Sequence, residues 1–150
     1  FSKSRSMAGM RIGYAMGHPD LIRYLNDVKY SFNSYTMNKA ALETGVAAVR
    51  DDAYFQETRQ RIIATRERVK KELHSLGFSF ADSMANFLFV THENCPAEEL
   101  FSALRKEKII VRYFKKPRID QYLRITIGTD GEMDALIRFL RSYLFNGGTE

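Results

Sequence analysis

The chain has 150 residues, 45% hydrophobic and 27% charged, with 23 Lys and Arg against 18 Asp and Glu for a net charge of +5. That composition excludes a disordered chain and allows one core with a smaller second one; no run approaches the roughly 20 apolar residues of a spanning helix, so the reading is a soluble chain with no membrane partner. The single cysteine, Cys95, excludes an internal disulfide framework and suits a reducing cytoplasm, while basic residues interleaved with acids, as in RQRIIATRERVKKE, read as a solvated face and not as a nucleic-acid-binding one.

In chain order, FSKSRSMAGM is a dense Ser/Lys/Arg/Gly run that passes directly into RIGYAM, which reads as a buried strand ending at Gly17. His18-Pro19-Asp20 opens a short helix with Pro19 at its first position and a stripe of Leu21, Ile22, Leu25 and Val28. SFNSYT is a loop. MNKAALETGVAAV is a helix whose Ala and Gly content suits close approach to its neighbours, and it is expected to be buried. From about Asp51 to Leu76, the positions Phe55, Ile62, Val69, Leu73 and Leu76 keep one apolar face on a long charged helix that Gly77 ends.

The second half changes rhythm. FSFADS and NFLFVTH are short strands, the latter with Phe87, Phe89 and Thr91 on one face and Leu88 and Val90 on the other. PAEELFSALRKEK is a helix beginning at Pro96, with acids in its first turn and bases in its last, the order that the helix dipole favours. IIVRYF is a strand, KKPRIDQ a turn and YLRITIG another strand. Thr129 and Glu132 form a capping box for a last helix whose Met133, Leu136, Ile137, Leu140 and Leu144 share one face. From about Phe78 the order is therefore β-β-α-β-β-α, a sheet with helices on one side.

Lysines and arginines near a chain end are ordinarily solvent-exposed, but the chemistry of the first segment points elsewhere. A nucleophilic lysine has to be held where its neutral amine is favoured. Ala8, Gly9 and Gly13 leave room for a bulky ligand against the backbone, and Arg11 supplies a fixed cation suited to a phosphate. A Schiff-base lysine beside a phosphate-binding arginine is what pyridoxal phosphate requires.

SKSRSMAGMRIGYA resembles the cofactor-attachment segment of class I/II, fold-type-I aminotransferases, in which S-K is followed by a small-residue turn and G-x-R-x-G. NFLFV, IIVRYF and YLRITIGT resemble, in the same order, the carboxy-terminal half of the histidinol-phosphate aminotransferases. The resemblance implies an α/β protein: residues 1–50 as the end of a large pyridoxal-phosphate-binding domain, 51–77 as a long interdomain helix and 78–150 as a small α+β domain. It implies Lys3 as the catalytic, cofactor-bearing lysine, Arg11 and Ser2 at the cofactor phosphate, Arg124 at the substrate α-carboxylate and Arg112 at the distal phosphate of histidinol phosphate. The implied reaction exchanges an amino group between histidinol phosphate and 2-oxoglutarate, in a cytoplasmic homodimer.

From the residues alone, the alternative for Arg112 and Arg124 is a salt bridge on a half-exposed strand. Asn86 reads as a turn cap. His18, His74 and His92 show no ligand spacing and read as structural, with no metal site. Sister activities, aromatic-amino-acid aminotransfer or threonine-phosphate decarboxylation, use the same fold, and a noncatalytic interaction domain is the alternative of another class. The family's glycine-containing cofactor turn, ring-stacking aromatic and pyridine-nitrogen aspartate have no counterparts in these residues. The chain therefore reads as a carboxy-terminal fragment, expected to be inactive alone.

Overall fold

The computed structural model describes residues 1–145. The chain groups into two compact units, Phe1–Arg59 and Gln60–Glu150, and the division falls inside one continuous helix. No helix among the described residues is long and apolar enough to cross a membrane.

The second unit holds the sheet. In chain order its strands are β1 (Phe78–Phe80), β2 (Phe87–His92), β3 (Arg112–Tyr113) and β4 (Leu123–Thr126), arranged β1-β2-β4-β3 with every neighbouring pair antiparallel. Within the first unit, α1 is Pro19–Phe32 and α2 is Lys39–Arg50; α3, Asp52–Ser75, runs through the division; α4 (Ala97–Lys106) and α5 (Asp130–Phe145) complete the second unit.

Period-two alternation decides which face of the sheet is dry. Leu88 and Val90 of β2 and Leu123 and Ile125 of β4 are buried together with Val69 and Leu73 of α3, Leu100 and Leu104 of α4, and Leu136 and Leu140 of α5. Phe87, Phe89 and Thr91, one residue out of phase, stand half-buried on the opposite face, as the alternation of NFLFVTH predicts. Burial of each large aliphatic side chain contributes about 1.5–3 kcal/mol, so this layer is the main stabilising element of the second unit.

α3 ends as its sequence requires: Gly77 takes φ +85°, and its N–H bonds the carbonyl of His74 at 3.1 Å. α3 is stitched to α5 by polar contacts. Arg68 reaches Glu72 at 2.8 Å, Asp134 at 2.7 Å and Asp130 at 3.0 Å, and the Thr65 hydroxyl donates to Asp130 at 2.9 Å. The buried Arg66 donates to the carbonyl of Ala85 at 3.0 Å in the β1–β2 connection. At the start of α5, the Thr129 N–H donates to Glu132 at 2.7 Å, so the capping box is formed.

Two strands differ from the sequence reading. IIVRYF pairs only over Arg112 and Tyr113, because the residues before them cap α4: Lys108 is left-handed at φ +60°, the Lys108 N–H bonds Arg105 and the Ile109 N–H bonds Leu104 at 2.9 Å. That pair of bonds is the Schellman pattern, and it takes the Ile109 donor away from any ladder. RIGYA is not a strand at all. A single 3₁₀ turn, Ala8–Met10, leads to a left-handed Arg11 at φ +55°, and residues 12–18 follow without regular structure. A strand needs a neighbour for its backbone groups, and none of the four described strands pairs with this segment.

In the first unit Met7, Ile12 and Ala41 form a small core, with Phe1, Met10, Met37 and Ala48 packed on it. Gly45 allows the close approach expected of α2: a Cβ there would stand 3.1 Å from Ile12 Cδ1. The expectation that α2 is buried does not hold. Only Ala41 and Gly45 are buried, and Leu42, Val46 and Val49 are each about half exposed. α1 begins at Pro19 as expected, with the His18 ring accepting from the Asp20 N–H, yet it buries no residue and presents Leu21, Leu25 and Val28 outward.

The α3–α5 stitch carries a pH dependence. The Asp130 carboxyl is held below the usual carboxylate range, first by the hydrogen bond from Arg68 and then by that from Thr65. A depressed folded-state pKa gives stability that is complete above the ordinary range and lost as pH falls through the folded value. The melting temperature of the protein, followed by circular dichroism, is therefore expected to drop below about pH 4, and Asp130→Asn is expected to lower it at pH 7 while flattening part of that acid limb.

Candidate functional site

Two groups of side chains fit the chemistry that the sequence raises, and each lies within one unit. The first is the loop Phe1–Arg11. The N–H groups of Arg5 and Met7 both bond the carbonyl of Phe1 at 3.2 Å, and that of Ser6 bonds Lys3 at 3.3 Å, so residues 1–7 close on themselves. Lys3 is exposed, and among the described residues its ammonium has no hydrogen-bond or ion-pair partner. Arg11 is also exposed and folds back to give Nη1 to the carbonyl of Ala8 at 2.9 Å, leaving its other nitrogens unengaged. Ser2 is half-buried. A Cβ on Gly9 or Gly13 would meet nothing within 4 Å, so the backbone there is open to a ligand.

The second group lies on the helix-free face of the sheet. β4 pairs Arg124 with Phe89 of β2 on one side and with Arg112 of β3 on the other, which sets the two guanidinium-bearing residues directly opposite across adjacent strands. Like charges in that position are destabilising unless something anionic lies between them. Among the described residues neither arginine has an ion pair or hydrogen bond, and Nε of Arg124 is a buried donor with no partner.

Aromatic rings support the pair. The Phe114 ring centroid lies 5.3 Å from the Arg112 guanidinium and 5.8 Å from that of Arg124, and Phe87 lies 5.5 Å from Arg124. Phe89 and Tyr122 stack at 4.6 Å beside them. The sequence reading singled out the arginines and missed this aromatic frame. Its signal is the period-two pairing of R-x-F in Arg112–Phe114 and Y-x-R in Tyr122–Arg124, which places each ring on its arginine's face. Arg5, also passed over, is the anchored member of the first loop.

The remaining candidates take structural roles. Asn86 accepts the Ile127 N–H on its main-chain carbonyl at 2.9 Å, extending the β2–β4 ladder. His92 Nε2 lies 3.1 Å from the Leu76 carbonyl, and His74 packs on Phe80. Cys95 is buried, and burial pushes its thiol pKa up, with a smaller push from Glu99, so it is a poor nucleophile. The Tyr143 hydroxyl, pushed up to about 12 by burial and its 2.8 Å bond to Glu99, is likewise a packing group.

Comparison with known proteins places these residues in context. Residues 1–140 match the family model described as aminotransferase class I and II. The histidinol-phosphate aminotransferase of Aromatoleum aromaticum is 53% identical over 143 residues, which cover 95% of this chain and 40% of that protein. The crystal structure of the histidinol-phosphate aminotransferase from Clostridium acetobutylicum superposes with a TM-score of 0.83 at 26% identity, over 94% of this chain and 43% of that one. A Sinorhizobium meliloti histidinol-phosphate aminotransferase, solved in complex with pyridoxal-5'-phosphate, shares the fold with a TM-score of 0.77 at 24% identity, over 97% of this chain and 40% of that one. The chain thus spans about two fifths of the length of the curated relatives it matches.

Arginines kept for a ligand differ in stability from arginines kept for the fold. A buried unpaired donor costs about 1–3 kcal/mol, more than the ~0.5–1 kcal/mol of an exposed cation–π contact. Arg124→Met, which retains the stem but removes Nε, is therefore expected to leave the melting temperature unchanged or raise it. Arg112→Ala is expected to stay within about 0.5 kcal/mol of the parent. Calorimetry of the two variants checks this, and a loss above about 1 kcal/mol in either marks that arginine as structural.

Proposed function

The chain belongs to the family of class I and II aminotransferases, and from that premise we propose that it is the carboxy-terminal part of a pyridoxal-phosphate-dependent histidinol-phosphate aminotransferase. In this reading residues 1–50 end the large cofactor-binding domain, 51–77 are the interdomain helix and 78–150 are the small domain. The whole enzyme is a cytoplasmic homodimer that uses glutamate and 2-oxoglutarate as the second substrate pair. The 150 residues alone are inactive.

The donor set of the first loop fits the cofactor: an unpartnered amine at Lys3, an available guanidinium at Arg11 and a hydroxyl at Ser2, beside open backbone at Gly9 and Gly13. When bound, pyridoxal phosphate supplies an aldehyde that takes up the amino group and a ring that draws electrons from the substrate's α-carbon. Lys3 would hold it and would be the base that moves the proton at the substrate's α-carbon. Arg11 and Ser2 would hold its phosphate by charge-assisted hydrogen bonds.

The observation that carries the substrate assignment is the Arg112–Arg124 pair, opposed across two strands with no acidic partner among the described residues. Histidinol phosphate brings a phosphate and no carboxylate, whereas glutamate brings two carboxylates. Guanidinium groups accept either anion in a forked geometry, so one face serves both substrates. Arg124, the more buried, takes the α-carboxylate, and Arg112, the more exposed, takes the distal phosphate.

The test is to measure the two half-reactions of the complete enzyme separately by stopped flow. Arg112→Ala is expected to slow the half-reaction with histidinol phosphate and spare that with glutamate, while Arg124→Ala damages glutamate more. Each removes a contact worth about 1.5–3 kcal/mol, roughly a tenfold to hundredfold loss. Equal effects of Arg112→Ala on both, or none on either, remove the basis for histidinol phosphate in this chain.

A further inference from the structure

Arg5 lies two residues beyond Lys3 and is the tethered side chain of its loop. Its Nη1 donates to the carbonyl of Ala48 at 2.5 Å and to that of Asp51 at 3.3 Å, and its guanidinium carbon lies 3.8 Å from the centroid of the Phe55 ring. The carbonyl of Ala48 belongs to the last turn of α2, where backbone acceptors lack intrahelical donors and the helix dipole favours a cation. Asp51 caps that helix and Phe55 lies in the first turn of α3, so one guanidinium joins the end of one helix to the beginning of the next.

We propose that Arg5 is a positioning residue for the catalytic lysine: it moors the Lys3 loop to the junction of α2 and α3 and so fixes where the Lys3 amine stands. This rests on the functional reading above. The Lys3 ammonium has no partner among the described residues, so the side chain does not hold itself, and its place is set through the backbone. That backbone is the closed turn in which Ser6 bonds Lys3 and Arg5 bonds Phe1, with Ser6 left-handed at φ +54°. Ser6 thus holds a conformation uncommon outside glycine directly beside the moored Arg5. Lysine cannot replace the arginine fully, because its ammonium could bond the carbonyls but lacks the planar group that stacks on the Phe55 ring while Nη1 does so.

The test uses the complete enzyme with Arg5→Met, which keeps the apolar stem over Phe55, and Arg5→Lys, which keeps the charge. In the cofactor-free protein, a lysine-specific protease should cut after Lys3 roughly tenfold faster in Arg5→Met than in the parent, while cuts after Lys70 and Lys106 keep their rates, because only the loop opens. Arg5→Lys should fall between the two. In the loaded enzyme Arg5→Met should lower kcat and leave KM for glutamate in place, since the lysine and not the substrate contacts is displaced. Unchanged cleavage after Lys3, an equal rise at all three lysines, or a parental kcat in Arg5→Met overturns the proposal. A borohydride-fixed pyridoxyl group on a lysine other than Lys3 overturns instead the functional reading, and leaves the protease result as the measure of the mooring.

Discussion

β4 meets β2 and β3 in one register, and the rest of the second unit follows from that pairing. With Leu123 opposite Val90 and Ile125 opposite Leu88, the aliphatic residues of both strands turn towards the helices and enter the core. Arg124 lies between them in sequence and so must turn the other way. A slip of one residue would bury the guanidinium under α5 and expose Leu123 and Ile125, which the hydrophobic term forbids. The same register brings Arg112 opposite Arg124. The core thus specifies the position of the arginines more firmly than any contact the arginines make themselves.

That division of labour explains how the second unit tolerates an arrangement that is unfavourable in isolation. Two opposed cations and a buried unpaired Nε cost free energy, and the cost is carried by an aliphatic layer together with the Arg68 and Arg66 ties to α3. An anion between the arginines converts the cost into affinity. The first unit follows a similar logic on a smaller scale. Its core of Met7, Ile12 and Ala41 is slight, α1 buries nothing, and the lysine loop is held by Met7 in that core and by the polar contacts of Arg5. The chain spans about two fifths of the length of the curated relatives it matches.

What could be read in the sequence, and what could not, divides by where the deciding interaction lies. Alternation in NFLFVTH and YLRITIG, the Gly77 stop and the Thr129–Glu132 box are local, and each appears as expected. The failures involve a partner that composition does not reveal. RIGYA has the residues of a strand, but none of the described strands pairs with it. IIV has β-branched residues, but Lys108 takes the left-handed position usually given to glycine and commits Ile109 to capping α4. α2 has the small residues of a buried helix, yet only Ile12 and its neighbours use them. Lys3, Arg11, Arg112 and Arg124 stand out by motif, and the fold sets Arg112 opposite Arg124, whereas the aromatic frame and the contacts of Arg5 emerge only once the chain is folded.

The central claim is that the opposed arginines are held in place for the anions of the substrate. The most direct measurement is a crystal structure of the complete enzyme with histidinol phosphate bound. The account predicts the phosphate oxygens within about 3 Å of the Arg112 guanidinium, with Arg124 free to take a carboxylate when glutamate is bound instead. A structure in which Arg112 and Arg124 pair with carboxylates of the enzyme's own polypeptide, and the phosphate is held by other residues, would contradict it.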